Sequence, residues 1–113
     1  DFYTPVIIAN NTFLAEEPET ARAFLDAVSR GYEFAIEHPR EAGEILCKAA
    51  PELDPDLVKA SQEYLADKYQ ADAPQWGYID QERWDAYYAW LNEKGLTETP
   101  IEAGTGCSNE YLP

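Results

Sequence analysis

Three prolines, Pro18, Pro39 and Pro55, each stand at the head of a stretch whose apolar residues recur at helical spacing. Proline holds φ near the helical value and lacks an N–H that would go unpaired in a first turn, so it suits a helix start and breaks a helix interior. The three prolines therefore cut this region into short helices. The first is expected from Pro18 to Glu37, with Glu16, Glu17 and Glu19 at the positive end of its dipole. Phe24, Leu25, Val28, Tyr32, Ala35 and Ile36 mark one face. The second runs from Pro39 to Ala50, with Ala42, Ile45, Leu46 and Ala49 inward, and stops at Pro51. The third starts at Pro55 behind an Asp54 cap and continues to Lys68, its stripe being Leu57, Val58, Ser61, Tyr64 and Leu65. The unequal proline spacing and the mismatch between the stripes exclude a helical solenoid.

Gln70 to Tyr78 reads as a loop containing Pro74 and Gly77. Asp80 caps a fourth helix, Gln81 to Lys94, which ends at Gly95 as helices commonly do. Its inward face is aromatic, with Trp84, Tyr87, Tyr88 and Leu91 at i, i+3, i+4 and i+7 and Trp90 toward the edge. Ahead of the helices, Asp1 to Asn10 contains the β-branched run Val6 to Ile8 and reads as a buried strand; Asn10 to Glu17 reads as a polar connector. A buried strand must pair its backbone N–H and C=O groups, and no second strand follows. Its partners are expected in further polypeptide, which makes the chain part of a larger protein. The expected fold class is mostly α, four main helices plus a short N-terminal strand. Residues 1–10 would be a return strand, 18–95 a helical region and 96–113 a tail.

Charge narrows the partners. With 22 acidic residues against 8 basic ones the net charge is −14, so the chain lacks the Lys/Arg surface that neutralises nucleic-acid phosphates. An anionic membrane surface would repel it. The acidic residues are spread along the chain, as on a solvated surface, and no apolar run is long enough to span a bilayer. Cys47 falls at an apolar-periodic helical position, where a thiol is ordinarily inert; Cys107 lies in a Gly-rich segment. A disulfide between them is one arrangement and two free thiols another, and with His38 they supply too few ligands for zinc. His38 reads as part of a tight turn before Pro39. No spacing suggests nucleophilic catalysis, no metal site is expected and no cofactor is implied. The Asn10-Asn11-Thr12 sequon is discounted as a common accidental match.

Several segments, in order, carry a resemblance. They are Asp1-Phe2-Tyr3-Thr4-Pro5-Val6-Ile7-Ile8, Gly31-Tyr32-Glu33-Phe34-Ala35-Ile36-Glu37-His38-Pro39, Ala49-Ala50-Pro51-Glu52-Leu53, Ser61-Gln62-Glu63-Tyr64-Leu65, Ala73-Pro74-Gln75-Trp76-Gly77 and Ser108-Asn109-Glu110-Tyr111-Leu112. Read together, they resemble the C-terminal third of NMT1/THI5-like solute-binding proteins of ABC transporters, a family that includes thiamine-pyrimidine and riboflavin binders. The resemblance implies an α/β parent of two lobes, of the type II periplasmic-binding-protein-like kind, closing on a small solute and delivering it to a membrane permease. It implies an extracytoplasmic location and no bond-making chemistry. Eukaryotic relatives do make the thiamine pyrimidine, using a cysteine-rich motif that nothing here matches and that would lie outside this segment.

The resemblance makes Tyr3 the leading ligand-binding candidate, with Phe2 beside it, because an aromatic ring at the cleft stacks on a flat heteroaromatic solute. Packing within or between lobes is the alternative for both. Trp84, Tyr87, Tyr88 and Trp90 are read as core, Trp76 as a plug between helices, and Asn109 and Glu110 as ties from the tail to a lobe. A different class of function, an autonomous helical interaction module, would leave the opening strand without a purpose. As part of a larger fold, the isolated chain is expected to self-associate through its uncovered apolar surface.

Overall fold

A computed structural model describes residues 2–113. Among them are five helices: α1 (Asn11–Glu16), α2 (Pro18–Glu37), α3 (Pro39–Ala49), α4 (Pro55–Leu65) and α5 (Gln81–Glu93). All three prolines open helices as their chemistry requires. Neither Glu17 nor His38 caps the following helix with its side chain, so those starts rest on the proline itself. Asp54 instead accepts hydrogen bonds from the N–H groups of Asp56 and Leu57, at 2.9 and 3.0 Å. His38 ends α2 and precedes α3 within a single residue, the tight turn expected of it.

Three expectations change. The stretch read as a polar connector contains α1, whose start is fixed by Asn10 accepting the Thr12 N–H at 2.8 Å. Asn10 thus acts as a helix cap, a role its side chain favours. The expected strand does not form among the described residues, and Asp1 lies outside them. Residues 2–10 are irregular and Ile8 is 87% exposed. A β-ladder needs a second edge to pair with, and none of the described residues provides one. Residues 66–68, expected to extend α4, turn off instead, the Lys68 and Tyr69 N–H groups both reaching back to the Leu65 carbonyl.

Packing follows the chain: α1 lies on α2, α2 on α3, and α3 most extensively on α4. The α3–α4 crossing is close because Gly43 is buried there, and a Cβ at that position would stand 3.4 Å from Val58 Cγ1 and 3.6 Å from Gln62 Cγ. The side of α4 that meets α3 therefore centres on Val58, leaving the predicted inward residues Leu57 and Tyr64 at 70% and 66% exposure. Phe24 on α2 and Ile45 and Leu46 on α3 are likewise exposed. Only Ala21 and Val58 form buried apolar core among the described residues; Ser29 is also buried and donates to Glu33.

The loop between α4 and α5 is fastened to α2 by aromatic contacts. Trp76 stacks on Tyr32 at 4.3 Å with an 18° interplanar angle, and Tyr69 meets the same ring edge-on at 5.1 Å. Trp76, read in sequence as a plug between helices, contacts α2 through this stack. The tail closes the arrangement: Arg22 of α2 donates to the Glu110 carbonyl, pairs with its carboxylate and lies over the Tyr111 ring.

Candidate functional site

The start of α5 gathers the N-terminal segment, the loop before the helix and the tail. Asp80 is the N-cap, its carboxylate accepting the Arg83 N–H at 2.8 Å. The Asp80 N–H donates outward to the Tyr3 hydroxyl oxygen at 3.0 Å, across 77 residues of sequence. One turn into the helix, the Arg83 guanidinium covers the Tyr3 ring at 5.0 Å and Trp84 lies against it at 6.4 Å. Tyr3 is thereby seated by its hydroxyl, its ring face and one flank. A phenol that accepts one hydrogen bond keeps its own proton to donate, so the seat leaves Tyr3 able to donate to a ring nitrogen or carbonyl oxygen.

Phe2 takes a different place. It stacks on Tyr87 at 4.9 Å, and Tyr87 stacks in turn near Trp90 at 5.9 Å, the planes within 17° and 13° of parallel. The ends of this column are open, Phe2 being 51% and Trp90 46% exposed. Offset stacking of this kind is favourable beyond the area it buries. The structure thus brings both candidate residues, Tyr3 and Phe2, onto the aromatic face of α5.

That face also receives the tail. Asn92 and Asp85 hold it from the helix, Asn92 bonding both the N–H and the C=O of Ile101 at 2.9 Å, and Asp85 accepting the Gly104 N–H at 2.8 Å. Gly106, at φ +81°, lies directly against the Tyr88 hydroxyl and beside Trp84 Nε1, a buried N–H without a protein hydrogen-bond partner among the described residues. Cys107 reaches Gln81 at 3.5 Å, and burial pushes its thiol pKa up, the Gln81 contact opposing and the Asp85 charge reinforcing that shift. Cys47 and Cys107 are both free thiols. Asn109 bonds the backbone of Ile79 at both its N–H and its C=O, 2.9 and 2.8 Å, which is the tie its place in the tail suggested. Among the described residues no group of three His, Cys, Asp or Glu could hold a metal.

Residues 1–42 match the family model described as NMT1/THI5 like. Over that stretch the chain is similar to the NMT1/THI5-like family. Along 87% of its length the chain is 29% identical to a formylaminopyrimidine-binding protein of Halalkalibacterium halodurans, covering 31% of that protein. It is 38% identical over 98% of its length to a 4-amino-5-hydroxymethyl-2-methylpyrimidine phosphate synthase of Candida albicans, again covering 31%. With the riboflavin-binding protein RibY of Chloroflexus aurantiacus it shares 24% identity over 95% of its length and 32% of that protein. The chain thus spans about a third of the length of the curated relatives it matches.

Tyr3 and Phe2 are candidates through the resemblance alone, and α5 is legible through its aromatic spacing. Sequence reasoning missed Arg83 and Asp80 as the residues that seat Tyr3. Asp80 was legible only as a cap, and no spacing rule reports a contact across 77 residues.

Proposed function

We propose that this chain is the C-terminal portion of a solute-binding protein that captures a small flat heteroaromatic solute, of the thiamine-pyrimidine precursor class, for import by an ABC permease. The observation that carries this reading is the alignment, along 87% of the chain, with a protein named for binding formylaminopyrimidine. The seat at the start of α5 supports it, because Tyr3 combines an aromatic ring with a hydroxyl that, while accepting from Asp80, keeps its own proton to donate. Phe2, stacked on Tyr87 farther along the same helix, offers a second exposed aromatic ring. The seat lies on an open face, and a second lobe of the parent would supply the opposing wall. This role belongs outside the cytoplasm; among the described residues no helix is long and apolar enough to cross a membrane.

A second reading rests on the Candida albicans relative, whose name is that of a synthase. Under it the same face would hold a pyrimidine while bonds are made. A thermal-shift panel of pyrimidines, flavins and sulfonates on the intact protein, followed by mass spectrometry of the recovered compound, separates the two. Binding predicts that a pyrimidine raises the melting temperature and is recovered unchanged; recovery of a chemically altered compound would favour the synthase.

A further inference from the structure

Ile79 precedes the cap of α5, where no regular element pairs its backbone. Its N–H and C=O are both taken by the carboxamide of Asn109, 30 residues away. A carboxamide carries a donor and an acceptor side by side, so one side chain supplies the pair of bonds a neighbouring strand would give. The Ile79 carbonyl and the Asp80 N–H belong to one planar peptide unit and point in opposite directions. One side of that unit is gripped by Asn109, and the other donates to the Tyr3 hydroxyl at 3.0 Å.

We propose that Asn109 is a positioning residue for Tyr3: by holding the Ile79 carbonyl it orients the peptide whose N–H fixes the Tyr3 hydroxyl. Its consequence for solute affinity rests on the reading of Tyr3 as a solute contact, but the positioning itself does not. Asn92 grips Ile101 with the same two-bond geometry elsewhere on the tail, and so provides a matched control. Asn109→Ala removes both bonds. Asn109→Asp keeps an acceptor for the Ile79 N–H but sets an oxygen against the Ile79 carbonyl, breaking the grip that orients Asp80.

The test is 19F NMR of the intact protein labelled with 3-fluorotyrosine, the Tyr3 resonance being assigned by its loss in Tyr3→Phe. Asn109→Ala and Asn109→Asp should both displace that resonance well below the unfolding temperature. Asn92→Ala should lower the melting temperature while leaving the resonance in place. The proposal is overturned if the Tyr3 signal is unmoved in the folded Asn109 variants, or moves equally in Asn92→Ala. Should Asn109→Ala fail to fold, Asn109→Asp carries the same comparison. In a titration with formylaminopyrimidine, Asn109→Asp should weaken binding about fivefold, the scale of one hydrogen bond, and add little to Tyr3→Phe. A displaced resonance with unchanged affinity supports the positioning role and removes Tyr3 from the solute site.

Discussion

Tyr3 and Gly106 meet α5 from opposite ends of the chain, and each depends on a local feature that a side chain elsewhere exploits. Gly106 adopts φ +81°, and any Cβ there would overlap the Tyr88 hydroxyl. Gly106→Ala therefore combines left-handed backbone strain with overpacking and should cost about 2 kcal/mol, read as a lower urea midpoint at unchanged slope. Cys107 offers a pH test. Burial disfavours its thiolate, so its pKa is raised in the fold. The stability this contributes is complete below the thiol's ordinary value and is lost as pH rises through the raised one. Iodoacetamide labelling of Cys107 should accelerate only above the range in which a peptide cysteine does, and a midpoint at or below that range would contradict the burial. Legibility at this scale was uneven. Asp54 and Pro55 announce their roles through local rules, whereas the glycine at 106 reads in sequence only as part of a flexible tail. Its role depends on Tyr88, which approaches from another element.

At the scale of elements, the boundaries of α2 and α5 were readable because their signals are local: a proline or an aspartate at the start, a His-Pro or glycine stop. The covered side of each helix was harder to read. On α4, Leu57 and Val58 are adjacent and both apolar, so periodicity alone cannot choose between them. The lack of a bulky side chain at Gly43 makes the choice, by leaving room for Val58 against α3. This crossing carries a prediction of its own. A Cβ at Gly43 would stand in ordinary contact with Val58 and Gln62, and glycine inside a helix is unfavourable. Gly43→Ala should therefore stabilise by about 0.5 kcal/mol, whereas Gly43→Leu should separate the two helices and destabilise. Equal destabilisation by both would mean that the crossing is tighter than described. The N-terminal segment failed as a strand for a related reason: Val6 to Ile8 carries β propensity, but propensity cannot supply a partner.

The whole molecule is open. Its radius of gyration is 17.1 Å, against about 13 Å for a compact domain of this length. Its accessible surface is 8473 Å², against about 6300 Å² for a compact monomer of this mass. Exposed apolar side chains on α2, α3, α4 and residues 6–8 account for this, and such surface drives association. The isolated chain should therefore sediment as a concentration-dependent oligomer, while a clean monomer with a cooperative melt would favour an autonomous module. In a longer protein the same faces would be available to pack against further structure; the chain spans about a third of its relatives' length. The most direct test of the account is a calorimetric titration of the intact protein with formylaminopyrimidine, run in parallel on Tyr3→Ala. The account predicts saturable one-to-one binding that the substitution weakens at least tenfold, on the scale of one stacking contact and one hydrogen bond. Absence of binding would contradict the proposed function, and equal affinity in the two proteins would contradict the seat at Tyr3.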